Sequence, residues 1–231
     1  MMFKALLLQS WYRLSDPGLE KQLARDLLFR RLIGRDLSES VAAQSTLWRF
    51  RQKLEGGSLR ERLRPEVNEQ LAGQGVNIKL GEVSIVDANV IAAKQSRPKQ
   101  GKDGQNTQDP EARWSVEVGA DGKRKNTDGY KAHDNVDGDG FIKATDYSTG
   151  SLHDSNCFTG LLTGEESVAY ADSAYRSAVH AEWLSERSIE NSSIKRVYRN
   201  RPLGKEDNQF NRLASGARSS VERVFGVLKQ P

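Results

Sequence analysis

Cysteine, histidine and long hydrophobic runs are scarce in this sequence. Its 231 residues include one cysteine and three histidines. The single cysteine, Cys157, excludes an intrachain disulfide framework and is typical of a reducing compartment. These counts also exclude a zinc module built from cysteine and histidine ligands. The apolar stretch Phe3–Leu8 is much shorter than the roughly 20 residues that cross a membrane, and polar residues follow it. The composition therefore predicts a cytoplasmic protein with neither a signal peptide nor a membrane anchor.

Charge of one sign is not in large excess either. Lysine and arginine number 35 against 31 aspartates and glutamates, which gives a formal net charge of +4. The positive charge is concentrated near the end, because the segment Ser192–Pro231 alone is more positive than the whole chain. This concentration indicates a surface that contacts phosphates and a DNA affinity that falls as salt rises.

The chain divides into two regions with different patterns of apolar and polar residues. Residues 1–75 have apolar residues at helical spacing, with Ser15-Asp16-Pro17 as a helix start, and we expect an all-helical domain there. Residues 80–231 alternate strand-like and helix-like segments, which predicts an α/β domain. Within this second region, residues 95–128 are polar and nearly without apolar periodicity. We therefore expect a long polar insertion at that point.

The helices of the first region carry basic side chains on their polar faces. Arg49 and Arg51 lie in one such helix, and the aromatic residues Trp48 and Phe50 alternate with them. Basic residues interleaved with aromatic ones are typical of a surface that contacts nucleic-acid phosphates. A solvated face of a helical bundle would show the same charges, and the sequence leaves both interpretations open.

The most strand-like stretch is Val83–Ile91, which is apolar on both faces and therefore predicts a central, buried strand. Asp87 lies in its middle, where a carboxylate is costly unless a cation faces it. An arginine or lysine side chain could supply the positive charge. A metal ion could also supply it, provided that further carboxylates come from other elements.

Two further acidic residues are candidates for such a site. Asp172 follows the strand-like segment Val168–Ala171, at the sheet edge where ligands bind in α/β folds, but it would also serve as a helix cap. On the last predicted helix, Arg218, Glu222 and Lys229 share one face beside an apolar stripe. They could point into a site, or they could form an exposed ladder of charges that supports the helix.

Three carboxylates from separate elements would repel one another unless they held divalent cations. Asp87, Asp172 and Glu222 offer oxygen ligands, which suit Mg²⁺ or Mn²⁺. Two such ions clamp a scissile phosphate and activate water or a 3′-hydroxyl for in-line attack. Arg218 and Lys229 would then contact phosphates. Without metal, we expect at least one of the carboxylates to have a raised pKa.

Taken together, the motifs resemble those of a known family. The segments around the two aspartates read Val-Asp-Ala-Asn-Val-Ile (86–91) and Ala-Tyr-Ala-Asp-Ser-Ala-Tyr (169–175), and Arg218, Glu222 and Lys229 are separated by three and six residues. With Gly129-Tyr130-Lys131-Ala132-His133, these motifs are similar to those of the DDE transposases of bacterial insertion sequences, in the broad group that includes insertion sequence five. Serine stands at position 215, where that wider group has tyrosine.

The resemblance implies a ribonuclease-H-like mixed sheet flanked by helices over residues 80–231, and a helical DNA-binding domain over residues 1–75. It implies a DNA transposase that uses two Mg²⁺ or Mn²⁺ ions, held by Asp87, Asp172 and Glu222, to cut at the ends of an insertion sequence and join them to target DNA. Its partners would be the element's terminal inverted repeats, target DNA and further copies of the chain. Six residues are expected to contact DNA or its phosphates: Arg49, Arg51, Lys131, His133, Arg218 and Lys229.

Relatives in that family continue beyond both ends of this sequence. We therefore expect the chain to be clipped at each end, within the helical domain and just past Lys229. Two alternatives follow, namely a ribonuclease-H-like nuclease that cuts without joining and a non-catalytic DNA-binding remnant. The three acids favour an enzyme, and the clipped ends favour the remnant.

Overall fold

The structure is a computed structural model that describes residues 1–56, 59–76, 78–79, 81–93, 101, 107, 109–119, 122–198 and 202–229. For the helical residues 55, 59–62, 64, 228 and 229 it describes the backbone alone. The chain folds as two compact units, Met1–Asn77 and Ile78–Gln230. No helix in the described ranges is both long enough and apolar enough to cross a membrane.

The regular structure described in the first unit is helical. Its helices are α1 (Met2–Tyr12), α2 (Asp16–Arg25), α3 (Leu27–Ile33), α4 (Gln44–Glu55) and α5 (Leu59–Gly73). Buried apolar side chains from the first four helices pack together, and the main ones are Leu8, Leu19, Leu23, Phe29 and Leu47. These helices therefore share one small hydrophobic core.

Capping side chains set where α2 and α3 begin. Ser15 caps α2 through its hydroxyl, as its place before Pro17 predicts. The Asp26 carboxylate accepts two backbone N–H groups of α3, at 2.8 and 3.2 Å, and Gly34 ends that helix in the left-handed conformation. The leucine spacing across residues 19–28 suggests one continuous helix. The structure has two, because Asp26 starts a new helix within that spacing.

The second unit is built on a six-stranded sheet. Its strands are β1 (Val83–Ala92), β2 (Arg113–Val118), β3 (Arg124–Val136), β4 (Ile142–Thr149), β5 (Val168–Ala171) and β6 (Glu190–Asn191). Its helices are α6 (Phe158–Leu161), α7 (Ala178–Glu186) and α8 (Lys205–Lys229), with 3₁₀ turns at Asp154–Cys157 and Ser173–Tyr175.

The strand order places β1 at the centre of this sheet. β1 pairs antiparallel with β3 and parallel with β5, and β5 pairs parallel with β6. β2 pairs with residues 124–129 of β3 and β4 pairs with residues 130–136, both antiparallel. Gly129 lies where these two partners meet, and a Cβ there would collide with the carbonyl oxygen of Ile91 on β1. The predicted central strand and the predicted mixed sheet flanked by helices are confirmed.

The two faces of the sheet pack against different helices. One face buries Val86 against side chains of α6, α7 and the 3₁₀ turns, among them Phe158, Leu161, Tyr175 and Leu184. The other face buries Ile85 and Val136 against Val221 and Phe225 of α8. Because alternate residues of a strand point to opposite faces, Asp87 shares the face of Ile85, which α8 covers.

Two predicted segments differ from the structure. The polar insertion expected over residues 95–128 is wrong in its second half, where β2 and the start of β3 lie. These strands pair through backbone hydrogen bonds near the sheet edge, so they need little apolar periodicity; Val116 and Val118 are exposed. The apolar residues of Ile194–Val197 suggest a strand, but the last strand in the described part of the chain is the earlier β6.

A buried ion pair ties three strands of the sheet together. Lys143 of β4 and Glu166, just before β5, have fully buried side chains with Nζ and Oε1 3.7 Å apart. Ser84 of β1 links them, because its hydroxyl lies 2.8 Å from Lys143 Nζ and donates to Glu166 Oε1 at 3.2 Å. Glu166 also accepts the backbone N–H groups of Thr163 and Gly164. This network helps to fix the register between β1 and β5.

Lys143→Met is expected to lower the free energy of unfolding by about 3–5 kcal/mol, because it leaves the Glu166 carboxylate buried without its cation. Urea denaturation followed by circular dichroism measures the change.

Lys79→Met is the matched control, because the Lys79 side chain is half exposed and bridges Glu82 and Asp139 at 3.6 Å each. It is expected to change stability much less, as exposed ion pairs do. Equal losses in the two variants would contradict the assignment of Lys143 to a buried network.

Candidate active site

Two aspartates lie side by side on the sheet face that α8 covers. The parallel register of β1 and β5 pairs Val86 with Ala171, and Asp87 and Asp172 are the next residues of the two segments. Adjacent strands lie about 4.7–4.9 Å apart, so the two carboxylates start from neighbouring backbone positions. The side chain of Asp87 is 19% exposed and that of Asp172 is 47% exposed.

Arg218 of α8 reaches towards both carboxylates. Its Nη2 donates to Asp87 Oδ2 at 2.8 Å, and its Nη1 lies 3.9 Å from Asp172 Oδ1. The packing of Val221 and Phe225 against the sheet holds α8 where this contact is possible. The positive group that the sequence requires beside Asp87 is therefore an arginine in this structure.

The electrostatics of Asp87 follow mainly from its burial. Loss of water raises the pKa of Asp87 above its ordinary value, the charge of Arg218 works in the opposite direction, and the charge of Asp172 adds a smaller rise. A raised pKa among the acids agrees with the expectation from the sequence. Its main cause is burial, and the repulsion between neighbouring carboxylates that the sequence predicts contributes less.

Asp172 serves as a helix cap as well as a member of this pair. Its Oδ1 accepts the backbone N–H of Ser173 and caps the 3₁₀ turn Ser173–Tyr175. Its more exposed position leaves the carboxylate open to solvent. The two interpretations of Asp172 are therefore compatible, since one backbone hydrogen bond leaves further lone pairs of the carboxylate available.

Glu222 lies one helical turn beyond Arg218 on α8 and is exposed. Within the part of the chain that the structure describes, no group of three or more His, Cys, Asp or Glu residues is placed to hold a metal ion. The structure unites Asp87 with Asp172, and the place of Glu222 in the site stays a prediction. Lys229 ends α8, and its side chain lies outside the described residues.

The donors present between the two strands fit a hard divalent cation. Asp87 and Asp172 both present carboxylate oxygens towards the guanidinium of Arg218, so a positive group is accommodated there. Mg²⁺ and Mn²⁺ prefer oxygen ligands, and Mg²⁺ is commonly held by one or two carboxylates while it keeps several waters. The chemistry of these two side chains therefore suits the metals that the sequence predicts.

Lys131 and His133 lie on the sheet face opposite this site, and the phosphate contacts predicted for them stay predictions. The register pairs them with residues 90 and 88 of β1, which face away from Asp87. His133 is fully buried, with Nε2 2.7 Å from the hydroxyl oxygen of Ser148. Lys131 donates to Asp154 at 2.7 Å. Both side chains are engaged on the opposite face of the sheet.

The two arginines predicted to contact DNA in the first unit differ in their surroundings. Arg51 donates to Asp16 Oδ1 at 2.5 Å and to Gln9 Oε1 at 3.1 Å, which ties α4 to α2 and α1. This internal structural role favours Arg49 over Arg51 for the predicted phosphate contact, which stays a prediction for both. Arg49 is exposed on the same helix, beside the exposed Trp48.

Sequence reasoning misses Asp134, a third carboxylate on the face of Asp87. The two residues are register partners, Asp134 is 2% exposed, and its Oδ1 accepts the Thr145 hydroxyl at 2.6 Å. With Asn89 and Tyr147 it lines a cavity of ≈ 740 Å³ whose walls come from β1, β2, β3 and β4. The pairing of β3 with β1 reveals this position, and no local pattern in the sequence does.

Comparison with known proteins identifies the family. Residues 79–231 match the family model described as Transposase DDE domain, and residues 1–53 match one described as Transposase domain (DUF772). The chain belongs to the transposase DDE family. Domains of this family have a ribonuclease-H-like fold, so the predicted fold class is confirmed.

The chain is similar to the transposase for insertion sequence element IS1106 of Neisseria meningitidis serogroup B. The two proteins are 29% identical over 174 residues, which are 70% of this chain and 59% of the relative. The chain thus spans less than two thirds of the length of that relative. The narrower placement in the group that includes insertion sequence five stays a prediction.

Replacing Asp134 with asparagine is expected to make this protein's stability less sensitive to pH. Burial raises the pKa of Asp134, against the hydrogen bond from Thr145 and the charge of His133. The folded state therefore holds the proton more tightly than the unfolded state. Its contribution to stability is greatest below the ordinary aspartate value of 3.8 and is lost as pH rises through the raised folded pKa.

The measurement is the urea unfolding free energy of the parent and of Asp134→Asn between about pH 3 and pH 7, in chelator. The unfolding free energy of Asp134→Asn minus that of the parent should increase as pH rises. The amide still accepts the hydrogen bond from Thr145, and it never becomes charged. Asp139→Asn, at an exposed position in the β3–β4 turn, is the control and should show no such trend. A difference that stays constant for Asp134→Asn would contradict the raised pKa.

Proposed function

We propose that this chain supplies the catalytic centre of a DNA transposase that cuts at the ends of an insertion sequence and joins them to target DNA. The observation that carries the proposal is the pair Asp87 and Asp172 on adjacent strands, both facing Arg218, in a chain of the transposase DDE family. Phosphoryl transfer needs acids that bind cations and a cation that binds phosphate. Both kinds of group meet at this point.

Asp87 and Asp172, with Glu222 contributed by α8, would hold two Mg²⁺ or Mn²⁺ ions. When bound, such ions stabilise charge on the scissile phosphate and lower the pKa of an attacking water or 3′-hydroxyl. Glu222 is suited to this role because it lies on the same helix as Arg218, one turn away, and is exposed to incoming ligands. The supporting observations are the oxygen donors of Asp87 and Asp172 and their neighbouring positions on one face of the sheet.

The protein's own residues fix the site before DNA arrives. Asp87 is held from two sides, since its Oδ1 accepts the Ala88 N–H at 3.0 Å and its Oδ2 accepts from Arg218. The packed side chains of Ile85 and Val221 exclude water from the adjacent face. Arg218 brings a planar group whose paired N–H donors match two phosphate oxygens. It would therefore orient the phosphate that is attacked.

The first unit would bind the element's terminal repeats. Arg49 and Trp48 are both exposed on α4 and together offer a cation for the phosphate backbone and an apolar surface beside it. Two ends of one element must be held together for joining, so we infer that copies of the chain assemble on DNA. The exposed basic residues of this unit favour DNA as the partner.

Asp87→Asn, Asp172→Asn and Glu222→Gln are each expected to slow DNA cleavage by about 10²–10⁴-fold, because losing a metal ligand removes several kcal/mol of charge stabilisation from the transition state. The assay uses an end-labelled duplex that carries the element's terminal repeat, with Mg²⁺ or Mn²⁺, and resolves the products on a denaturing gel.

Asp139→Asn is the control for these three variants, since its carboxylate is exposed and faces Lys79. It should cleave like the parent. Full cleavage by Asp87→Asn or Asp172→Asn would refute the site, and full cleavage by Glu222→Gln would remove that residue from it. Cleavage without joining to a target plasmid would indicate a nuclease, and binding without cleavage would indicate a remnant.

Arg49→Gln is expected to weaken DNA binding and to reduce the slope of log affinity against log salt by about one, the change for one lost phosphate contact. Fluorescence anisotropy with a labelled duplex at several salt concentrations measures both quantities.

Arg51→Gln changes the same charge on the same helix and is the matched variant. It should lower the unfolding free energy by about 1–2 kcal/mol through its lost bonds to Asp16 and Gln9. Its salt slope should stay close to that of the parent. A larger loss of DNA affinity in Arg51→Gln than in Arg49→Gln would reverse the assignment of the two residues.

A further inference from the structure

The guanidinium of Arg218 approaches the carboxylates of both aspartates. Its Nη2 lies 2.8 Å from Asp87 Oδ2, and its Nη1 lies 3.9 Å from Asp172 Oδ1. The Arg218 side chain is 11% exposed, so its charge is largely withdrawn from water. A divalent cation bound by both carboxylates would compete for the same oxygens.

The contact leaves the arginine incompletely satisfied. A guanidinium has five N–H donors, and the buried Nε of Arg218 has no hydrogen-bond partner among the described residues. The approach of Nη1 to Asp172 is longer than a hydrogen bond. Arg218 is therefore held mainly by charge attraction and by its hydrogen bond to Asp87. A divalent cation carries more charge and could displace the guanidinium from these contacts.

We propose that Arg218 holds the place of a divalent cation in the DNA-free protein and transfers to a DNA phosphate when that cation binds. The inference rests on the proposed function, because it takes Asp87 and Asp172 as metal ligands. Before the exchange, Arg218 keeps the buried charge of Asp87 paired. It is a positioning residue and a competitor of the metal ion.

The exchange requires movement of the Arg218 side chain and not of the fold. Val221 and Phe225 keep α8 packed on the sheet, and the Ala88 N–H keeps the Asp87 carboxylate oriented. The displaced guanidinium needs a new acceptor, and a phosphate offers two oxygens in matching geometry. DNA and the cation should therefore favour each other's binding, and linkage makes that effect mutual.

The first test measures Mn²⁺ binding to the DNA-free chain from the loss of the paramagnetic resonance signal of free Mn²⁺. Arg218→Gln is expected to bind Mn²⁺ about tenfold more tightly than the parent, within the usual range of coupling between sites. Arg223→Gln removes the same charge from the same helix, and the contact of Arg223 is with Ser220. This control should stay within about twofold of the parent, because an exposed charge is screened. Equal affinity of Arg218→Gln and the parent, or equal gains in both variants, overturns the proposal.

The second test repeats the titration with a short DNA duplex. DNA is expected to tighten Mn²⁺ binding to the parent by about tenfold and to Arg218→Gln by clearly less, because in the variant the phosphate can still ligate the ion but there is no competitor to displace. Mn²⁺ bound in the presence of Asp87→Asn and the same duplex measures the ions that DNA phosphates hold by themselves. This background is subtracted from the other titrations. The same tightening by DNA in the parent and in Arg218→Gln contradicts the exchange.

Loss of Arg218 leaves a buried carboxylate unpaired, so circular dichroism in chelator checks that Arg218→Gln folds. If it does not fold, Arg218→Lys decides, because a lysine concentrates its charge at one point and reaches one carboxylate at a time. That variant should bind Mn²⁺ about threefold or more tightly than the parent, and unchanged affinity overturns the proposal. If the parent and every variant fail to bind Mn²⁺, with or without DNA, the metal site of the proposed function itself is wrong.

Discussion

The parallel register between β1 and β5 brings two distant acidic residues to neighbouring positions on one face of the sheet. A slip of one residue would turn Asp172 towards the opposite face, where Phe158 and Leu184 form an apolar core. The buried pair of Lys143 and Glu166 opposes such a slip, because its hydrogen bonds join β1 and β4 to the start of β5. The candidate site therefore depends on an ion pair that takes no part in its chemistry.

The amphipathic helix α8 packs on that face and brings a charged side chain to the two aspartates. Its apolar stripe packs against β1 and β3, and the adjoining charged face brings Arg218 to Asp87. A cation beside Asp87 offsets part of the cost of burying its carboxylate, and a helix that packs next to it supplies one without exposing the core. The same geometry explains why Glu222, at the margin of the packed stripe, is exposed.

Much of this architecture follows from local sequence signals, and the remainder follows from strand pairing. The apolar run around Asp87 identifies the central strand, and the residue after Val168–Ala171 identifies the second acid. The face of His133 depends on which β1 residue it opposes, and the role of Asp134 depends on the same register. The first half of β3 lacks an apolar pattern because backbone pairing with β2 alone makes it a strand. Patterns within a segment do not contain that information.

The same sheet face also carries several carboxylates, whose charges are costly to bury. Asp87, Asp134 and Asp172 all lie on it, and burial raises the pKa of the first two. Burial of these carboxylates opposes folding, so the apolar packing under α8 must offset that cost. A cation that binds the folded chain and not the unfolded one stabilises the folded state by mass action. Under the proposed function, this costly face would take up a divalent cation, which is the exchange between stability and function expected of a catalytic site.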